Sequence, residues 1–181
     1  HLGRGKYQDV NGPRNRVDIM QEHVAKVLEI CKKYDVKTEM WGDMYIRMAY
    51  GAYERGPMTF DKSDEVRKSM PENVKIHYWD YYSTDKNRYS DMLDNHKQLS
   101  NKTWFAGGAW TWRGFLPMNG FSIMSMHYAI DACRKHKVKN IFVTMWGDDG
   151  GECPYYSALA MLMHAAATAE GLTEEEMKAR F

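Results

Sequence analysis

The chain of 181 residues has little of several features that mark special classes of protein. Its three cysteines, Cys31, Cys133 and Cys153, are odd in number and lack CxxC spacing, which argues against a disulfide framework or a zinc site. There is no run of about 18 apolar residues, as a transmembrane helix would need. The formal net charge of +1 provides no basic surface for nucleic acid or an anionic membrane. We therefore predict neither of these partners, and the cysteines favour a reducing compartment.

Patterns that bind metals and cofactors are also missing. The histidines are dispersed, without the HxxEH type of spacing. The glycines in GGAWTW and HLGRGKY form neither a phosphate loop nor a dinucleotide fingerprint. We predict no metal and no cofactor.

Helical and strand-like segments alternate along the chain. Helices are predicted at 16–36, in a short segment ending near Met70, at 87–100, at 121–138, at 156–171 up to Gly171, and after Thr173. Strands are predicted at 36–43, 74–82, 103–112 and 139–149, with an irregular stretch after the first. The Met-rich segment 158–167 is expected to be a helix packed on both sides. This alternation predicts an α/β fold with a parallel sheet.

Aromatic residues make up 13% of the chain, and tryptophans recur with acidic residues where the predicted strands end. The pairs two residues apart are Trp41 and Asp43, Tyr78 and Asp80, Trp110 and Trp112, and Trp146 and Asp148. Residues two apart on a strand share a face, and ligands bind at the carboxyl ends of parallel strands. Aromatic rings suit the C–H face of a sugar, while carboxylates accept hydrogen bonds from its hydroxyls. Core packing and helix capping explain any single pair, but recurrence at four strand ends favours a carbohydrate pocket.

Four sequence blocks carry a resemblance to a known family. MWGDMYIR, VKIHYWDYY, FAGGAWTWRGF and TMWGDDGGEC resemble, in order and spacing, the second half of the catalytic barrel of family 20 glycoside hydrolases, the β-N-acetylhexosaminidases. The bacterial exo-β-N-acetylglucosaminidases are especially similar, and the likeness covers nearly the whole chain. It implies that residues 1–181 form the C-terminal half of a TIM (β/α)8 barrel, strands five to eight with their helices. The N-terminal half of this catalytic domain would be absent from the chain.

The resemblance also implies a reaction, namely removal of terminal GlcNAc or GalNAc from glycans by a retaining, substrate-assisted mechanism. The 2-acetamido oxygen of the sugar attacks the anomeric carbon and forms an oxazolinium intermediate. An Asp-Glu pair at the end of strand four orients the acetamido group and supplies the general acid. Similar family sequences run DEAH into a Gly-rich segment, so the resemblance implies that this pair directly precedes His1. The chain alone is then expected to be inactive and to need the missing half or to self-associate.

The family motifs assign roles to residues of this chain. Tyr78 corresponds to the catalytic tyrosine that hydrogen-bonds the acetamido oxygen, and Asp80 to a carboxylate that holds sugar hydroxyls. The motifs also imply that substrate is bound by Trp41, by Trp110 with Trp112 as its alternative, by Trp146, and by one of the acids Asp148, Asp149 and Glu152, which would bind the distal hydroxyls. The strand-end pattern adds Asp43 to the substrate-binding positions. Two other functions stay open: a carbohydrate-binding domain without catalysis, and a different glycosidase with both carboxylates here, for example Asp43 and Glu152.

Overall fold

The computed structural model describes residues 2–53, 60–72 and 74–180, apart from the side chain of Asp149. The position assigned to His1 lies outside these residues. The helices in the described part are α1 Lys6–Asn11, α2 Arg16–Lys33, α3 Asp43–Tyr50, α4 Ser63–Ser69, α5 Lys86–Leu99, α6 Asn119–Lys135, α7 Leu159–Glu170 and α8 Glu174–Arg180. The strands are β1 Glu39–Trp41, β2 Lys75–Trp79, β3 Thr103–Gly108 and β4 Ile141–Thr144. Short 3₁₀ turns span Asp148–Gly150 and Tyr155–Ala158.

The four strands form one sheet in the order β1-β2-β3-β4. Strands β1 and β2 are parallel, with Trp41 opposite His77. Strands β3 and β4 are also parallel, with Phe105 opposite Ile141. The α/β class with a parallel sheet, predicted from the alternation of helices and strands, is confirmed.

The strands are shorter than the sequence pattern predicted. Strand β1 ends at Trp41, so Asp43 is the first residue of α3 and not a strand residue. Strand β3 ends at Gly108 and β4 at Thr144, which places the tryptophans that follow them in loops. The alternation of side chains between two faces ends with the strand, so it does not relate residues beyond it. Helix and turn formation overrode the continued strand that aromatic and β-branched residues favour.

The chain divides into two compact units, each with its own core. The first contains His1–His77 and Asn95–Thr103. Here α4 packs against both α2 and α3. Helix α3 buries Tyr45, Ile46 and Ala49, although this segment was predicted to be irregular. Helix α3 has only eight residues, which is too short for a helical period to be recognised in the sequence. Burial in the tertiary structure stabilises it.

The second unit contains Tyr78–Asp94 and Trp104–Phe181, and in it α6 packs against α7. The large buried side chains of its core are Tyr78, Tyr89, Leu93, Phe105, Met126 and Met161. Helix α7 is not packed on both sides as predicted, since Leu159 and Met163 are exposed. Gly171, at φ 82°, ends this helix as predicted. None of the helices in the described ranges is long and apolar enough to cross a bilayer.

The predicted start of the last helix is confirmed by its hydrogen bonds. The Thr173 hydroxyl accepts from the backbone N–H of Glu176 at 3.2 Å, and the Glu176 carboxylate accepts from the Thr173 backbone N–H at 2.8 Å. This reciprocal pair is a capping box, which satisfies two backbone donors at the start of the helix. Hydrogen bonds between neighbouring residues therefore fix the start of the exposed helix α8.

Candidate functional site

Aromatic rings from the carboxyl ends of β2, β3 and β4 meet in the second unit. We call this group the aromatic cluster. Its members are Trp79, Tyr81, Tyr82, Trp110, Trp112, Phe121 and Trp146. Tyr81, Trp110 and Trp112 are buried, whereas Tyr82 is 42% and Trp146 36% exposed. The cluster thus has a packed base and two rings that reach solvent.

Tyr81 is the centre of the aromatic cluster. Its ring stacks on Trp79 at 5.3 Å between centroids and meets Trp112 edge-on at 5.6 Å and Trp146 edge-on at 6.3 Å. The Tyr81 carbonyl accepts a hydrogen bond of 2.7 Å from the indole N–H of Trp110. Burial raises the pKa of the Tyr81 hydroxyl, so the cluster centre stays neutral. These contacts fix the ring geometry more tightly than burial alone, because edge-on and stacked pairs are directional.

The loop after β3 is anchored on this cluster. The Trp110 backbone N–H donates to the Ser122 hydroxyl at 3.0 Å, and the Trp110 carbonyl accepts from the Met118 backbone N–H at 3.0 Å. The guanidinium of Arg113 lies 5.7 Å from the Trp110 ring centroid, at cation–π distance. At the tip of the loop, Phe115 and Leu116 are strongly exposed. The loop therefore has a fixed base and an apolar tip.

Asp80 organises the turn between β2 and α5. Its carboxylate is 8% exposed and accepts four hydrogen bonds. The atom Oδ1 accepts from the backbone N–H groups of Tyr82 and Ser83, each at 3.0 Å. The atom Oδ2 accepts from the Tyr78 hydroxyl at 3.0 Å and from Nε of Arg88 at 3.3 Å. A carboxylate has about four acceptor positions, so Asp80 is saturated by its own chain in this arrangement.

Tyr78 lies beneath this turn and is fully buried. Its ring packs against Phe105 at 5.3 Å and Tyr89 at 6.3 Å between centroids. Tyr78 and Asp80, predicted to act together, are thus in direct contact. The single hydroxyl proton of Tyr78 is donated to Asp80, so a substrate oxygen would have to replace Asp80 as the acceptor.

The segment after β4 places Trp146 beside Tyr81 and leaves its acids exposed. The Trp146 carbonyl accepts from the Thr111 hydroxyl at 3.0 Å, which ties the two loops together. Asp148 begins a 3₁₀ turn and is exposed. Glu152 is also exposed, and its carboxylate folds back over the α-carbon of Gly150. The side chain of Asp149 lies outside the described residues, so its assigned contact stays a prediction.

The two remaining predicted positions belong to the first unit. Trp41 is 38% exposed, and its ring meets His77 edge-on at 5.5 Å. The Glu39 carboxylate accepts from Lys75 Nζ at 2.8 Å and lies 3.0 Å from His77 Nε2. Hydrogen bonding by Lys75 holds the Glu39 pKa below its ordinary value. Asp43 is half-buried in the first turn of α3.

Several residues of the site were not predicted from the sequence. Tyr81 and Tyr82 follow Asp80 directly. The sequence did carry a signal for this turn, because an Asp side chain readily accepts hydrogen bonds from the backbone two residues further on and so forms an Asx turn. Arg88 had no sequence signal, since only the fold brings an α5 residue to the end of β2. Within the described ranges, no group of three or more His, Cys, Asp or Glu side chains is placed to hold a metal ion.

Comparisons with known proteins leave the family unassigned. No protein-family model matches the chain, and no curated protein is significantly similar to it.

Proposed function

We propose that this chain forms part of a retaining, substrate-assisted β-N-acetylhexosaminidase that removes terminal N-acetylhexosamine from glycans. The observation that carries the proposal is the aromatic cluster at the carboxyl ends of β2, β3 and β4. Its exposed rings, Tyr82 and Trp146, offer apolar planes to a sugar ring, and they stand on rings fixed through Tyr81. Ligand sites of parallel α/β folds lie at these strand ends.

The finer fold is part of the same proposal: the four strands are strands five to eight of a TIM barrel. Sequential strands are neighbours throughout the order β1-β2-β3-β4. That order supports a barrel, because doubly wound sheets reverse their strand order at a switch point. Residues 1–181 would then form the C-terminal part of one catalytic domain.

In the proposed reaction, Tyr78 donates to the acetamido oxygen and orients it for attack on the anomeric carbon. The general acid comes from the Asp-Glu pair of the family. The chain has one Asp-Glu dipeptide, Asp64 and Glu65, but this pair lies in the first turn of α4. Asp64 pairs with Arg67 at 2.7 Å and is strongly exposed, which suits a surface helix and not a catalytic acid.

A sugar-binding domain without catalysis is the second candidate. The bond from Tyr78 to Asp80 favours it, because the single hydroxyl proton that the proposed reaction needs is donated within the chain.

Turnover and binding by the full-length protein separate these functions. A chromogenic β-N-acetylglucosaminide should be hydrolysed, while the matching β-glucoside, which lacks the acetamido group, should not. The Tyr78→Phe variant should lose about 10²-fold in kcat, as expected when the attacking oxygen is no longer held in position. Phe keeps the buried ring but removes the bond to Asp80, so this variant should lose about 1–3 kcal/mol of stability, and its kcat is measured well below its melting temperature. N-acetylglucosamine binding without turnover would support the second candidate, and full activity of Tyr78→Phe would remove this hydroxyl from the mechanism.

A further inference from the structure

Arg88 reaches the aromatic cluster indirectly, through the carboxylate of Asp80. Its guanidinium Nε lies 3.3 Å from Asp80 Oδ2. Asp80 is buried, and Arg88 is 28% exposed by its side chain. The hydrogen bond is charge-assisted, and such bonds are stronger than neutral ones. Arg88 therefore fixes the orientation of a carboxylate that has both oxygens engaged.

The other oxygen of Asp80 holds the turn that carries two members of the cluster. The backbone N–H groups of Tyr82 and Ser83 both donate to Oδ1. A rotation of the Asp80 carboxylate would weaken both bonds together, because its two oxygens move as a rigid unit. Arg88 and the turn at Tyr81–Ser83 are thus connected through the two oxygens of one carboxylate.

The same turn connects to the rest of the cluster and to α5. The Tyr81 carbonyl accepts the indole N–H of Trp110, and the Tyr89 hydroxyl donates to the Ser83 carbonyl at 3.0 Å. Displacement of the turn would consequently move the Tyr81 ring, on which Trp146 rests edge-on. A continuous series of contacts thus runs from Arg88 through Asp80 and the turn to the rings of the cluster.

We propose that Arg88 is a positioning residue of the sugar site: through Asp80 it holds the turn Tyr81–Ser83, and this sets the rings against which the saccharide stacks. The inference rests on the proposed function, which it deepens by assigning a role to a residue outside the family motifs. In this proposal Asp80 fixes the positions of the aromatic rings and does not bind sugar hydroxyls.

The test measures ring packing and sugar binding separately in the full-length protein. Arg88→Met should change the near-ultraviolet circular dichroism of the aromatic side chains and weaken binding of N-acetylglucosamine on the order of tenfold, as displacement of a positioned group does. Arg88→Lys keeps the charge but lacks the guanidinium group, so its spectrum and its affinity should lie between those of the wild type and Arg88→Met. Binding is followed by tryptophan fluorescence at a temperature well below each melting point.

Arg134→Met is the matched control. Arg134 pairs with Asp131 at 3.1 Å and donates to the Thr168 carbonyl of α7 at 2.8 Å, both at the exposed surface of the second unit. This variant should keep both the wild-type spectrum and the wild-type affinity. If Arg88→Met lowers the melting temperature but matches the control in spectrum and affinity, Arg88 is merely structural and the inference is wrong.

The remaining outcomes are equally decisive. If Arg88→Met does not fold, Arg88→Lys carries the test, and wild-type binding by that variant overturns the inference. A wild-type protein that neither binds N-acetylglucosamine nor hydrolyses its glycosides refutes the proposed function, and the role of Arg88 at a sugar site with it. A wild type that binds, together with an Arg88→Met variant that binds equally well, refutes the role of Arg88 alone.

Discussion

The tripeptide Trp-Gly-Asp occurs at residues 41–43 and again at 146–148, and the two copies continue differently. After the first copy the chain enters α3, with Asp43 in its first turn. After the second it forms a 3₁₀ turn of three residues, followed by Gly151 at φ 68°. The tryptophans are nonetheless similarly exposed, at 38% for Trp41 and 36% for Trp146.

The residues that follow each tripeptide explain the difference. MYIRMAY supplies side chains that α3 buries, whereas DGGECP contains two glycines and a proline, which oppose helix continuation. The two glycines of the tripeptides also have different surroundings. Gly42 is buried, and its backbone N–H donates to the His77 carbonyl at 2.8 Å, whereas Gly147 is exposed. The two copies of the motif thus share the exposure of the tryptophan but differ in the backbone conformation that follows it.

The largest expected effect distinguishes the two glycines. In Gly42→Ala the new methyl would lie 2.7 Å from the His96 ring and 3.1 Å from the His77 carbonyl. Since His96 is fully buried, we expect destabilisation by about 1–3 kcal/mol, the usual cost of overpacking. In Gly147→Ala the methyl meets only the exposed Tyr155 hydroxyl at 2.7 Å, and the cost should stay below about 0.5 kcal/mol. Urea unfolding measures both, and equal losses would contradict the comparison.

The second prediction concerns the role of Trp146 in the proposed sugar site. Trp146→Ala should raise KM and lower kcat together, reducing kcat/KM on the order of tenfold, because the ring both binds and positions the sugar. Phe142→Ala provides a control, since Phe142 is also an exposed ring in the same unit but precedes the end of β4. Unchanged binding of a thiazoline-type inhibitor in Trp146→Ala would show that the ring only packs.

The third prediction compares the two acids. Asp43 is the first residue of α3, and the N-cap Gly42 provides no side-chain hydrogen bond. The negative charge of Asp43 therefore interacts favourably with the positive end of the helix dipole. Asp43→Asn should therefore cost about 0.3–1 kcal/mol of stability. Asp148→Asn should have almost no effect, because a turn of three residues has little dipole. The free energy of unfolding at low salt tests this, and a larger loss for Asp148→Asn would contradict it.

The smallest expected effect is the pH dependence of the stability that Glu39 contributes in the first unit. Hydrogen bonding to Lys75 lowers the pKa of Glu39 from its ordinary value of 4.5. A lowered pKa means that Glu39 stabilises the fold above that value and that this contribution disappears as the pH falls through the folded-state pKa. The stability difference between wild type and Glu39→Gln should be below about 1 kcal/mol at pH 7, since the pair is partly exposed, and should vanish at low pH. A difference that grew on acidification would contradict this assignment.

The sequence predicted the α/β class and the strand positions because helix and strand periods are local properties. It also placed the helix boundary at Gly171 and the start at Thr173, since both depend on residues next to them. It could not place the strand ends, which depend on where turns such as the one held by Asp80 begin. Arg88 could not be predicted either, because its partner lies eight residues away and only the fold brings them together. Whether the predicted residues bind a sugar stays a prediction.

The loop after β3 has a practical consequence for protein chemistry. The Phe115–Leu116 bond at its exposed tip is a target for proteases that cleave after large apolar residues, while Trp110 still bonds Met118 and Ser122 at the base of the loop. Exposed loop tips tolerate nicking and insertion when the backbone beneath them is held. Limited digestion there should leave both new chain ends in place, and the same position suits a reporter peptide or a covalent label.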